Sequence, residues 1–379
     1  MKKVLLALAA SSLMASYAGA QEAKPAAEAK APSSWADKLT LKGDLRYRYE
    51  MIDQEGKEER TRDRIRARFG VEAKPADDLK VGLRLSTSEG GDPVSSNQTL
   101  GDGASRKDVF FDLAYMTWMP ASVEGLGVTG GKMENPFVTV GDLVFDGDLN
   151  PEGLAVGYTL GGDGLEFMLN GGQFWVEERS ADEDDGTMLG GQVAAKLKAD
   201  DMHVLAGLGY YAFQNLEDYG IIGEKSFGNS TTGGEEDPVT GETSPLLYAN
   251  GYEILDAVAE VGLTLGLPVV AYGNLAINQD ADEDDTGYMV GFRVGKTKNP
   301  GSVDFNYNYR ELEANAVLGA WSDSDFLGGG TDGSGHKFSL GVQLTKALKG
   351  NVTYFLNEKG LDDDTTDYDR LQVDVSAKF

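Results

Sequence analysis

Between Leu39 and Met51 the chain alternates without a break. Leu39, Leu41, Gly43, Leu45, Tyr47, Tyr49 and Met51 form one set, and Thr40, Lys42, Asp44, Arg46, Arg48 and Glu50 are interleaved with it. A period of two means an extended strand with one wet face and one apolar face. The pattern recurs at Ile65, Ala67, Phe69 and Val71 against Arg64, Arg66, Arg68 and Glu72, then at Leu79, Val81, Leu83 and Leu85 against Lys80, Arg84 and Ser86. Further strands are predicted near 108–119, 126–133, 153–160, 164–176, 187–198, 202–214, 253–265, 268–278, 286–297, 302–312, 334–345, 350–358 and 368–379. That makes about sixteen, and an even number returns the chain to the side on which it entered.

The connections alternate in length. Short ones at 74–78, 161–163, 199–201, 266–268, 298–301 and 346–350 are turn sequences. Longer, acidic or Gly-rich ones lie at 52–61, 89–107, 134–152, 177–186, 215–252, 279–285, 313–333 and 359–367. Alternation alone also allows a soluble β-sandwich or β-helix. However, many strands carry enough outward apolar residues for a band about 25 Å tall, with tyrosines towards the strand ends. In hydrocarbon an open sheet edge leaves backbone groups unpaired, so such a sheet must close. The expectation is an all-β transmembrane antiparallel barrel over 38–379, with short periplasmic turns and long extracellular loops. The last strand alternates Leu371, Val373, Val375, Ala377 and Phe379 with Gln372, Asp374, Ser376 and Lys378. An amphipathic strand ending on Phe379 resembles the signal read by the outer-membrane barrel assembly machinery.

Lys2 and Lys3, an apolar run from Val4 towards Met14, and Ala18-Gly19-Ala20 read as a cleaved secretory leader over 1–20. Residues 21–37 read as a mobile periplasmic linker rich in Ala, Lys, Glu and Pro. The leader implies export, and with the barrel pattern and the terminal strand it leads to the expectation of a Gram-negative outer membrane. Cysteine is absent, which excludes a disulfide scaffold and a cysteine metal site. Lys plus Arg number 34 against 62 acidic residues, a net charge of −28. Such a chain repels nucleic acid.

Signs of catalysis are weak. The two histidines, His203 and His336, lie far apart in sequence and in no nucleophile motif. The expectation is no enzyme, no catalytic residue, no metal site and no cofactor. The acidic runs 182–186 and 280–285 lack the full spacing of a calcium loop. They read as solvated loops, with weak divalent-cation binding that bridges to lipopolysaccharide phosphates as a secondary role. The informative cluster is basic: Arg46, Arg48, Arg64, Arg66, Arg68 and Arg84 share the polar face of the first three strands. Arginine on a lipid face would cost about 2–4 kcal/mol at the midplane. The alternation therefore puts these side chains on the inner wall, either as a solute path or simply paired with Asp44, Glu50 and Glu72. The loop 134–152 supplies Glu134, Asp142, Asp146 and Asp148. It also carries Leu143, Val144 and Phe145, too apolar for a freely solvated loop. Folded inward, it would point its carboxylates across the lumen.

Gly131-Lys132-Met133-Glu134-Asn135-Pro136-Phe137, then Asp146-Gly147-Asp148-Leu149-Asn150-Pro151-Glu152-Gly153, resemble the "putative porin" family of Gram-negative outer membranes. The opening strand Leu39 to Tyr49 is similar to that family's start. More broadly the pattern resembles general porins: sixteen-stranded barrels, usually trimers, with the third loop folded inward. The resemblance implies passive diffusion of small hydrophilic solutes or ions past a constriction between acidic loop and basic wall. It also implies a homotrimer among outer-membrane lipids and lipopolysaccharide. Two other classes stay open: a structural or adhesive barrel with a plugged lumen, recognised through loop 215–252, and a barrel enzyme.

Overall fold

The computed structural model describes residues 38–180, 184–223, 225–236, 241–361 and 365–379. The leader expected at 1–20 and the linker expected at 21–37 lie outside these residues.

Sixteen long strands follow one another. They are β1 (Leu39–Gln54), β2 (Arg60–Ala76), β3 (Leu79–Thr87), β4 (Val109–Trp118), β5 (Leu126–Lys132), β6 (Glu152–Gly161), β7 (Leu165–Glu177) and β8 (Gly186–Ala199). The second half comprises β9 (Met202–Gln214), β10 (Tyr252–Leu265), β11 (Leu267–Asn278), β12 (Thr286–Gly295), β13 (Val303–Leu312), β14 (Gly333–Gln343), β15 (Leu348–Lys359) and β16 (Thr366–Lys378). Each pairs antiparallel with its sequence neighbours, and β1 pairs with β16 to close the ring. At that seam Gly43 and Phe379 exchange backbone hydrogen bonds of 2.9 and 3.1 Å. The predicted sixteen-stranded antiparallel barrel is therefore observed, and the predicted strands match the observed ones to within a few residues. Among the described residues no helix is long and apolar enough to cross a membrane.

The two faces separate as the alternation requires. Leu41, Leu45 and Tyr47 on β1 are exposed on the outer wall, while Arg48 and Glu50 of the same strand are buried inside. The outer wall continues through Leu83, Phe111, Phe167, Val193, Leu208, Val290 and Leu340. In water such a belt would be a large exposed apolar patch; in a bilayer it is the solvent-facing surface. His336 belongs to this outer face, its ring centroid 5.0 Å from Tyr309.

Turn chemistry sits at one end of the barrel. Gly161 closes the β6–β7 turn at φ +109, where an added Cβ would lie 2.1 Å from the Leu165 carbonyl oxygen. The long connections emerge at the other end. We number them 1 to 8, from 55–59 (loop 1) to 360–365 (loop 8). Several of them turn back into the barrel instead of rising from it.

Candidate functional site in the barrel lumen

The inner face of β2 is built by alternation alone. Arg60, Arg62, Arg64, Arg66 and Arg68 are spaced by two, so all five project from the same side of one strand. Arg46 and Arg48 stand beside them on β1, in register with Arg66 and Arg64. Arg84 follows on β3, opposite Gly70. The six arginines singled out in the sequence thus share one wall, and Arg60 and Arg62 extend it towards the loop end.

Among the described residues, five of the six are ion-paired and Arg46 is held by a hydrogen bond. Arg48 makes a two-pronged contact with Asp374, with Nε donating to Oδ1 at 2.7 Å and Nη2 to Oδ2 at 2.9 Å. Its Nη1 reaches Asp325 at 3.0 Å. Arg66 and Arg68 share Asp44, at 2.9 and 2.7 Å. Both also meet Asp148, at 3.6 and 3.0 Å. Arg46 donates to Asn97 at 2.6 Å. Arg84 contacts Asp112 at 2.5 Å and Glu134 at 3.4 Å. Arg64 meets the exposed Glu89 at 3.3 Å. Buried Glu50 holds Arg62 and Arg370, whereas Glu72 pairs with Lys42.

Three loops supply the facing groups. Loop 3, residues 133–151, lies against the inner wall of β7–β12. Leu143, Val144 and Phe145 are buried there with Phe174, Met188, Tyr211 and Met289. Phe145 meets Tyr211 edge-on at 4.9 Å, and Phe137 sits 4.8 Å from the same ring. Gly190 makes room for Phe137, since an added Cβ would come within 2.5 Å of that ring. Burying three such side chains stabilises the docked loop by about 6 kcal/mol, an upper figure because the free loop is not fully extended.

Loop 3's four carboxylates go to different partners. Asp148 reaches Arg66 and Arg68 on the arginine wall, and Glu134 reaches Arg84. Asp142 meets Lys337 on β14 at 3.8 Å. Asp146 accepts backbone N–H groups from Ser324 at 2.9 Å and Asp148 at 2.7 Å. Asp142 and Asp146 therefore do not oppose the arginines, which the sequence reading had expected.

Loop 7, residues 313–332, is the component that reading missed. Ala316, Val317, Leu318, Trp321, Phe326 and Leu327 are all buried inside the barrel. Trp321 packs on Phe213 at 5.5 Å, and its carbonyl accepts the Asp146 N–H at 2.8 Å. Asp323 pairs with Arg310 at 3.0 Å and Lys337 at 3.5 Å. Asp325 spans to Arg48 and, at 2.7 Å, to Arg370. The buried Asn229 of loop 5 braces the segment, donating to the carbonyls of Ala314 at 2.7 Å and Val317 at 2.9 Å. Part of the segment 215–252, expected as a long extracellular recognition loop, is thus packed inside. The signal for loop 7 was present: its apolar run resembles the one that marked loop 3. Arg310, Lys337 and Arg370 left no cluster in the sequence because each stands on a different strand.

Loop 2 adds a polar lining. Ser95, Ser96, Asn97 and Gln98 are buried, and Gln98–Thr99 pairs with Ile65 and Arg64 as a short edge of the sheet. Ser96 donates to Asp148 at 3.2 Å. The arginine wall, Asp148, Asp325 and loop 2 thus meet along one polar seam. A cavity of about 800 Å³ opens on its loop-end side. A cavity of about 370 Å³, walled by Arg68, Arg84, Glu134 and Asn150, lies further towards the turns.

The loop carboxylates are tuned in opposite directions. Burial raises Asp325, but Arg370 and Arg48 outweigh it and hold the carboxyl well below its ordinary value. Burial pushes Asp146 well above the ordinary value, and Asp323 adds to the rise. An acid whose pKa rises on docking favours docking below its free pKa, and that contribution is lost as pH rises through the raised value. Asp325 behaves oppositely, contributing above its free pKa and failing only in strong acid. Loop 3 should therefore loosen as pH climbs through the raised Asp146 value. Because the chain has no cysteine, a nitroxide on Gly147→Cys reports this cleanly. Its mobility should rise with pH, and adding Asp146→Asn should remove that dependence. An unchanged pH profile in the double variant would contradict the assignment.

His203 and His336 are ordinary wall residues. His203 Nε2 lies 2.8 Å from Glu260, and His336 Nδ1 lies 2.9 Å from the Tyr307 hydroxyl. Among the described residues no group of carboxylates and histidines could hold a metal ion.

The model of one protein family, described as "Putative porin", matches residues 51–225 and 246–379. No curated protein matches the chain. Among solved structures, Pseudomonas putida OprB at high pH is 13% identical over 91% of this chain and 95% of its own, with a TM-score of 0.61. Salmonella typhi OmpF in complex with daunomycin is 11% identical over 91% and 99%, with a TM-score of 0.54. The trimer form of in-vitro-folded Vibrio cholerae OmpT is 14% identical over 90% and 100%, with a TM-score of 0.51. At such identities the likeness extends to the fold alone.

Proposed function

We propose that this chain, which belongs to the family of putative porins, lets small hydrophilic solutes or ions diffuse passively across the outer membrane along its polar luminal seam. The observation that carries the reading is the division of the lumen. One half is an apolar core of loops 3 and 7 on β7–β12, and the other is a charged seam between two cavities. Water and solutes follow the charged half. Arg46, Arg48, Arg64, Arg66, Arg68 and Arg84 serve as its basic wall, and Asp148, Glu134 and Asp325 as the facing carboxylates. Solutes are sorted there by size and charge.

The proposal includes export through the leader over 1–20, assembly through the strand ending in Phe379, and a homotrimer in contact with lipopolysaccharide. Trimerisation rests on the resemblance to general porins and on the trimer form of the Vibrio cholerae protein. No chemistry at His203 or His336 is needed. Liposome swelling tests the reading. Liposomes carrying the folded protein should admit small sugars, with rates falling steeply as solute size grows. Swelling no faster than in protein-free liposomes would sink it.

One observation favours a second reading, a plugged structural barrel. The buried core inside the lumen, and Arg370 bound to Asp325 and to the Ser324 carbonyl, hold loop 7 firmly in place. In that case the sugars would stay out until loop 7 is released.

A further inference from the structure

The loop-end cavity concentrates positive charge in a strongly acidic chain. Its walls include Lys57, Arg60, Lys225 and Lys359, and none of these forms an ion pair with a described residue. Lys57 donates only to Gln54 at 3.2 Å, and Lys359 sits 4.6 Å above the Tyr368 ring. At the floor lie Arg62, Arg370 and Arg64. Arg64 is buried; among the described residues its one ion pair is the 3.3 Å contact with exposed Glu89, and its Nε has no hydrogen-bond partner. The carboxylates lining the cavity are Glu58, Glu89 and Asp92. Burial raises Asp92, which weakens its value as a counter-charge.

Lys57, Arg60 and Lys225 are exposed around the cavity, Lys359 is half-buried and Arg64 is buried beneath them, so like charges stand together and repel one another. The arrangement is relieved when an anion enters. Guanidinium forks match planar or tetrahedral oxyanions, and the lysines add point charge. A volume of about 800 Å³ suits a small molecule. We propose that this cavity is a capture site for small solutes bearing a carboxylate or phosphate group, held by Arg60, Arg64, Lys57 and Lys359. Below the cavity Arg66 and Arg68 continue the same face of β2 at spacings of about 7 Å. A captured anion thus has its next partners along the seam. The inference deepens the proposed function by naming a solute class, and it rests on that reading for the direction of travel.

Calorimetric titration of the full chain, folded in detergent at low salt, tests the site with two probes, inorganic phosphate and citrate. Saturable binding of either probe is expected, and the tighter one assigns the head group. Arg60→Gln and Lys359→Gln should each weaken binding by about tenfold or more, while Lys359→Arg should retain it. Heat-modified gel mobility verifies folding of every variant. Flat titrations with both probes, or Gln variants that bind like the parent, would overturn the site. Planar-bilayer conductance measured on the same samples separates the two claims. Binding without conductance refutes the solute path and leaves the site standing. Conductance without binding refutes the site alone.

Discussion

Asp325→Ala should raise the conductance of the barrel several-fold. Asp325 is the carboxylate by which loop 7 reaches across to β1 and β16, contacting Arg48 at 3.0 Å and Arg370 at 2.7 Å. Removing one partner of a buried ion pair costs about 3–5 kcal/mol. The lower end applies here because Arg48 keeps Asp374 and Arg370 keeps Glu50. About 3 kcal/mol is roughly a hundredfold in the docked-to-undocked ratio. The loop is also anchored by Trp321 and Phe326, so the change should appear as frequent excursions to a wider state, not as permanent release. Single-channel records of the folded variant check this. Steps identical in size and lifetime to the parent's would show that Asp325 does not hold loop 7 across the lumen.

The second large effect concerns ion selectivity. Changing Arg64, Arg66 and Arg68 together to Gln removes three positive charges from a single face of β2 and leaves Asp44 and Asp148 without their principal counter-charges. In a confined, low-dielectric passage such carboxylates act on passing ions far more strongly than in water. The cation-to-anion permeability ratio should rise by roughly three- to tenfold, read as a shift in reversal potential under a salt gradient. Asp148→Asn should move the potential the opposite way. A reversal potential unmoved in both variants would reduce these arginines to wall residues outside the solute path.

Much of the architecture could be read from the sequence because strand alternation is a local signal. Each residue declares its face by its own polarity, so Leu45 and Arg46 needed no knowledge of the rest of the chain. Loop-length alternation then separated the two ends. The seam was legible only where its members were neighbours in sequence, as for Arg64, Arg66 and Arg68. Asp325 meets Arg48 and Arg370 only after the ring has closed, and no spacing rule links residues so far apart. Loop 3 was marked by Leu143, Val144 and Phe145. Loop 7 carried an equal apolar signal in Val317, Leu318 and Trp321, but its glycines and aspartates read as an external loop. The destinations of Asp142 and Asp146 depended on that unseen loop, which is why they were set against the wrong wall.

The central claim is that a charged seam through a closed barrel is a route for hydrophilic solutes. Single-channel recording of the unmodified, folded protein in planar bilayers tests it most directly. Discrete, stepwise conductance whose ion selectivity shifts when Arg64, Arg66 and Arg68 are neutralised, and which Asp325→Ala enlarges, is the predicted result. An electrically silent membrane, with protein shown to be folded and inserted, would contradict the claim.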